Sequence, residues 1–154
     1  MPMRASIVAI LLLVASLAAA DPESWMTRAD NTRELAIQLV HGKQCPGTES
    51  EALETAKAVF SRYKIEPVSY DPSGDSFGVA LRTFCGPSAG GVFLFKVDLF
   101  WTRRDEESGE LMLYNKFYDR LGAGTAGDLN AAIRGEVGQA LEDYLKANSD
   151  SANR

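Results

Sequence analysis

Hydrophobic positions change period along the chain, and the changes mark the elements. Over residues 21–40, Trp25, Ala29, Ala36, Leu39 and Val40 fall near one face of a 3.6-residue repeat, which predicts a helix. Asp21-Pro22 suits its N-cap and first position, and His41-Gly42 suits its end. Thr48-Glu49-Ser50-Glu51 is a capping-box signature, in which hydroxyl and carboxylate satisfy free amides reciprocally. Ala52, Leu53, Ala56, Val59, Phe60 and Tyr63 continue from it at helical spacing. This second helix is expected to pack back on the first through the loop that carries Cys45.

After Pro67 the period becomes two. Strands are expected at 68–70, 76–84, 92–103 and 111–118, separated by a turn at 71–75, a glycine-rich loop at 86–91 and a charged hairpin at 104–109. The longest strand aligns Phe93, Phe95, Val97, Leu99 and Trp101 on one side. A final helix over 128–147 carries the stripe Leu129, Ile133, Val137, Ala140, Leu141, Tyr144 and Leu145. The predicted fold class is α+β: two N-terminal helices, a four-stranded antiparallel meander and a C-terminal helix packed on one sheet face. Residues 21–147 form a single domain, and 148–154 a flexible polar tail.

Residues 1–20 stand apart. Arg4 is a positive n-region, the following run of about 15 uncharged residues is too short for a span of about 20, and Ala18-Ala19-Ala20 forms a small-residue cleavage box. The segment reads as a secretory signal peptide, giving a secreted product, periplasmic or extracellular. No cysteine adjoins the cut, which argues against a lipid anchor, and no later stretch approaches spanning length. The chain has 154 residues with 16 basic and 21 acidic side chains; the acidic balance argues against nucleic-acid or anionic-membrane binding. One histidine and two cysteines do not supply the ligands of a zinc site, and no cofactor or metal is expected. In an oxidising compartment Cys45 and Cys85 are expected to pair, closing a loop of about 41 residues at a gain of about 4 kcal/mol.

Three motifs carry weak chemical signals. Gly122-Ala123-Gly124-Thr125-Ala126-Gly127 matches a dinucleotide-binding pattern, but no parallel strand follows its helix, so a linker into a capped helix explains it better. Asp71, Ser73 and Asp75 resemble the opening of a calcium loop, yet Ser76 and Arg82 stand where glycine and glutamate belong. His41 is the default general base, though no nucleophile signature or carboxylate pair accompanies it. Arg103-Arg104 before Asp105-Glu106-Glu107 reads as a solvated hairpin tip.

The second face of the central hairpin is less bland. Pairing Asp98 with Lys116 sets Phe100 opposite Tyr114 and Lys96 opposite Tyr118. That face then carries Leu94, Phe100, Met112, Tyr114 and Tyr118 around a few charges, Lys96 and Asp98 among them, a composition suited to a protein interface. The leading functional reading is a non-catalytic binding protein acting through a protein partner, as inhibitors, immunity proteins and assembly factors do. The alternative is a carrier of a small apolar ligand held between sheet and C-terminal helix. An enzyme using His41 ranks third.

Overall fold

A computed structural model describes residues 24–28, 31–71, 76–104, 108 and 111–149. The expected signal peptide therefore lies outside the described residues, as do most of the calcium-like turn, Asp105 to Glu107 and the end of the tail. After a short 3-10 turn at Ser24–Met26 come β1 (Glu34–His41), α1 (Glu49–Arg62), β2 (Glu66–Ser69), β3 (Phe77–Ala89), β4 (Val92–Arg104), β5 (Leu111–Gly124) and α2 (Ala126–Ser149). The five strands form one sheet in the order β2-β1-β3-β4-β5.

The α+β class and the C-terminal helix on the sheet stand, but the N-terminal half is corrected. The last third of the expected first helix, from Glu34 on, is strand β1, which runs parallel to both β2 and β3. Only β3, β4 and β5 make an antiparallel meander. The cause is visible in Glu-Leu-Ala-Ile-Gln-Leu-Val-His. A strand inside a sheet with parallel neighbours can bury residues on both sides, and Leu35, Ala36 and Ile37 are all buried. Such a run mimics helical spacing. With α1 following it, β1-α1-β2 is a parallel crossover unit, and β2 begins two residues earlier than expected.

The capping box is present as predicted: the Thr48 amide donates to Glu51 Oε2 at 2.7 Å, and the Glu51 amide donates to Thr48 Oγ1 at 3.2 Å. Ala52, Ala56, Val59 and Phe60 bury the inner side of α1. The expected loop at 86–91 shrinks, because β3 continues through an irregularity between Cys85 and Ser88 to Ala89. Gly90 and Gly91 alone turn the hairpin, with φ of 60° and 79°, a conformation that matches strand twist and excludes most side chains. Cys45 and Cys85 are disulfide-bonded, tying the loop after β1 to the middle of β3.

Both helices cover one sheet face. Leu35, Ile37, Val79, Leu81, Phe93, Phe95, Val97, Leu99 and Trp101 meet the predicted stripe of α2, Leu145 excepted, and the inner side of α1 in one core. Trp101 stacks on Phe77 at 5.3 Å between ring centroids and lies 5.7 Å from Tyr144. α2 runs past its expected end. Asn148, placed in the tail from sequence, is buried, donates to the Met26 and Tyr144 carbonyls and accepts from the Arg28 amide. It ties the 3-10 turn to the helix.

Candidate functional site

The uncovered face of the sheet is the candidate site, and strand register draws its map. Moving from β1 to β5, one row is Gln38, Ala80, Phe100 and Phe117; the next is Val40, Arg82, Asp98 and Asp119. Beyond it lie Phe84, Lys96 and Leu121, and then Leu94 with Ala123. Leu113 opposes Thr102 at the other end. Among the described residues, eight large apolar side chains are notably exposed, and seven share this face: Val40, Phe84, Val92, Leu94, Leu113, Phe117 and Leu121. The eighth is Leu145 on α2. Scattered apolar residues are ordinary on a surface, whereas seven on one sheet face form a patch.

A row of charge crosses this apolar face. Lys96 Nζ is 2.8 Å from Asp98 Oδ1, and Arg82 lies 3.8 Å from the other oxygen. The Arg82 guanidinium also sits 4.7 Å from the Phe100 ring centre and 5.8 Å from that of Phe84. That cover explains why Phe100 is buried although it points away from the helices. Arg82, Lys96, Asp98 and Phe100, with Phe117 and Asp119, line a shallow depression of about 320 Å³. Asp119 stands directly across from Asp98, is exposed, and has no ion pair among the described residues.

The expected register of the hairpin is wrong by an odd number of residues. Asp98 opposes Asp119 rather than Lys116, Phe100 opposes Phe117 rather than Tyr114, and Lys96 opposes Leu121 rather than Tyr118. An odd slip moves every β5 side chain to the other face. Phe100, Lys96 and Asp98 therefore remain on the open face. Tyr114 and Tyr118 turn inward, and the Met112 backbone pairs with Arg103. Tyr114 stacks on Trp25 with centroids 4.3 Å apart. Tyr118 is buried and donates to Asp143 Oδ2 at 2.7 Å. Lys116 also reaches Asp143, at 3.0 Å. Burial alone would raise the Asp143 carboxyl; the Tyr118 and Lys116 hydrogen bonds and the Lys116 charge outweigh it and hold the group below the ordinary carboxylate range. Sequence reasoning placed Leu94 on the open face but missed Phe84, Phe117 and Leu121 there. The even spacing of Phe84 from Arg82 along β3, and of Phe117, Asp119 and Leu121 along β5, was the available signal.

The other candidate groups resolve into packing. Phe93, Phe95, Leu99 and Trp101 are buried and fill the layer beneath α2. A side chain at Gly122 would run into the Phe95 ring, and one at Gly124 into Asp128. Asp128 accepts from the Thr125 amide and hydroxyl, contacts that lower its pKa. The glycine motif is thus a tight strand-to-helix junction. The Asp71 amide donates to Ser76 Oγ, whose hydroxyl donates to the Asp71 carbonyl, while Ser73 and Asp75 lie outside the described residues. His41 ends a strand rather than a helix. Its Nδ1 is 2.9 Å from Thr83 Oγ1, and its buried Nε2 has no hydrogen-bond partner among the described residues. It borders a cavity of about 390 Å³ with Thr48 and Glu51, whose polar atoms are joined to each other by the capping box. No group of three or more His, Cys, Asp or Glu suited to a metal occurs among the described residues, and no described helix is long and apolar enough to cross a membrane.

No protein-family model matches the chain, and no curated protein matches it. Solved structures do. A minor lipoprotein from Acinetobacter baumannii is similar at a TM-score of 0.39 and 9% identity, over 79% of this chain and 94% of that one. An uncharacterized protein is similar at 0.40 and 10% identity, over 75% and 91%. Rare lipoprotein B from Shewanella oneidensis is similar at 0.29 and 8% identity, over 76% and 96%. Likeness at this level transfers no function.

Proposed function

We propose that this chain is an exported, non-catalytic binding module that acts by docking the open face of its sheet on a protein partner. One observation carries the reading: seven exposed apolar side chains lie on the face opposite the helices, around a charged row anchored by Asp98. An apolar field with fixed charges inside it suits a specific protein surface, because the charges set register while the apolar groups supply the driving force. The disulfide and the signal-like first twenty residues support an oxidising compartment. The site residues kept from sequence are Phe100, Lys96 and Asp98, now joined by Phe117, Leu121 and Phe84.

The test is a photo-crosslinking residue placed singly at Leu121 or Phe84 and, as controls, at Glu54 and Arg134 on the helices, in cells that make the protein. One adduct of discrete mass at the sheet positions and none at the helical ones is expected. Adducts at the helical sites alone, or none at the sheet, overturn the reading.

A further inference from the structure

The two edges of the sheet are unlike. β2 is four residues long and contains Pro67, which has no amide to offer, so this edge discourages pairing. β5 is the opposite edge, 14 residues long and without proline. Its pairing with β4 is irregular between Phe100 and Thr102, and from Phe117 to Gly124 the ladder is unbroken. Along that run Phe117, Asp119 and Leu121 stand at successive positions of the open face, with Phe117 64% and Leu121 77% exposed.

Asp119 is the odd group among them. Directly opposite like charges destabilise a sheet, and the Arg82 and Lys96 cations lie against Asp98, leaving Asp119 with no ion pair among the described residues. A strand added to the edge would set one side chain directly across from each of the three. The Asp119 position calls for a cation, which could also lie over the Phe117 ring; the flanking positions call for apolar groups.

We propose that the partner binds by adding an extended strand to the edge of β5 that no described strand pairs with, its sheet-face positions reading apolar, Arg or Lys, apolar against Leu121, Asp119 and Phe117. The inference rests on the docking role of the open face and names the element and chemistry that meet it. A second copy of this chain in the register centred on Asp119 is disfavoured, since it would set that carboxylate against itself.

The probe is a capped, fluorescent heptapeptide, Thr-Leu-Thr-Arg-Thr-Leu-Thr, with a twin carrying Glu for Arg, titrated into the mature disulfide-bonded protein. The Arg peptide is expected to bind at least about fivefold more tightly than its twin, the scale of one exposed charge pair, and to shift the amide resonances of 117–124. Asp119→Lys is expected to reverse that preference while keeping the far-UV spectrum and melting temperature. Equal binding of both peptides, binding of neither, an unreversed preference in Asp119→Lys, or shifts away from β5 overturns the proposal. Cellular crosslinking at Phe84 separates the two ideas: an adduct undiminished in Asp119→Lys leaves the open-face reading standing and sinks the strand-addition one.

Discussion

Leu99 and Leu121 lie on adjacent strands, but the register puts them on opposite faces, so truncating each measures the face assignment directly. Leu99 is fully buried beneath the helices, next to Val97 and Trp101 in the core. Leu99→Ala removes its transfer free energy and leaves a cavity that the neighbouring aromatics fill poorly, a loss of about 2.7–5 kcal/mol. For a domain of this length that lowers the melting temperature by roughly 10–20 °C and the urea midpoint by about 2 M. Leu121 is 77% exposed, so Leu121→Ala forfeits little burial and is expected to stay within about 0.5 kcal/mol. Equilibrium urea unfolding, followed by tryptophan fluorescence and circular dichroism together, provides the comparison. Similar losses in the two variants, or a loss above about 1.5 kcal/mol for Leu121→Ala, would refute the two-faced sheet and the docking surface built on it. Tyr118→Ala should behave like Leu99→Ala, because its ring is buried and its hydroxyl is bonded to Asp143.

Removing both thiols as Cys45→Ala and Cys85→Ala is expected to cost about 4 kcal/mol through the freed loop of the unfolded chain; unchanged urea midpoints with and without reductant in the native protein would contradict it. Asp143 has a lowered folded pKa, so its stabilisation is present above its unfolded value of 3.8 and is lost as pH falls through the folded one. Asp143→Asn should therefore flatten the acid limb of a stability-against-pH curve, and an unaltered limb would remove the attribution. A Cβ at Gly78 would collide with the Ala36 backbone, whereas one at Gly127 finds only Thr125 Oγ1 at 3.6 Å. Gly78→Ala should thus impair folding, and Gly127→Ala should be neutral or gain up to about 1 kcal/mol; thermal melts of the pair rank them, and the reverse order would be fatal to the packing argument.

Local signals in the sequence were legible where one physical rule dominated. The Thr48 capping box, the apolar stripe of α2, the inward side of β4 and the disulfide all follow from spacing or compartment alone. β1 was not legible because its discriminating feature is tertiary: parallel neighbours bury both sides, and the alternation of Leu35, Ile37 and Leu39 is masked by Ala36 and Val40. The site was half legible for a similar reason. Placing Lys116 against Asp98 satisfies a charge pair, but the true partner of Lys116 is Asp143, 27 positions along the chain on α2. Irregular pairing near Trp101 adds residues to β5, and no turn rule announces it.

β5 shows how a strand can be settled on one face and open on the other. Its inward cations are matched by α2: Lys116 by Asp143, and Arg120 by Glu136 at 2.8 Å, with Glu136 buried. Burying Glu136 without Arg120 would leave a costly unpaired charge, so these pairs fix the helix on the strand rather than add much net stability. On the outward side the same strand holds Asp119 opposite another carboxylate, between two exposed apolar side chains. A strand whose inner charges are all met and whose outer charge faces its like gains nothing from that arrangement in isolation. The cost is small at an exposed position, and a cation brought by a partner reverses its sign. On this argument Asp119→Asn should raise the stability of the free protein slightly, by a few tenths of a kcal/mol, while weakening the complex. A variant that loses stability and binding together would show instead that Asp119 serves the fold.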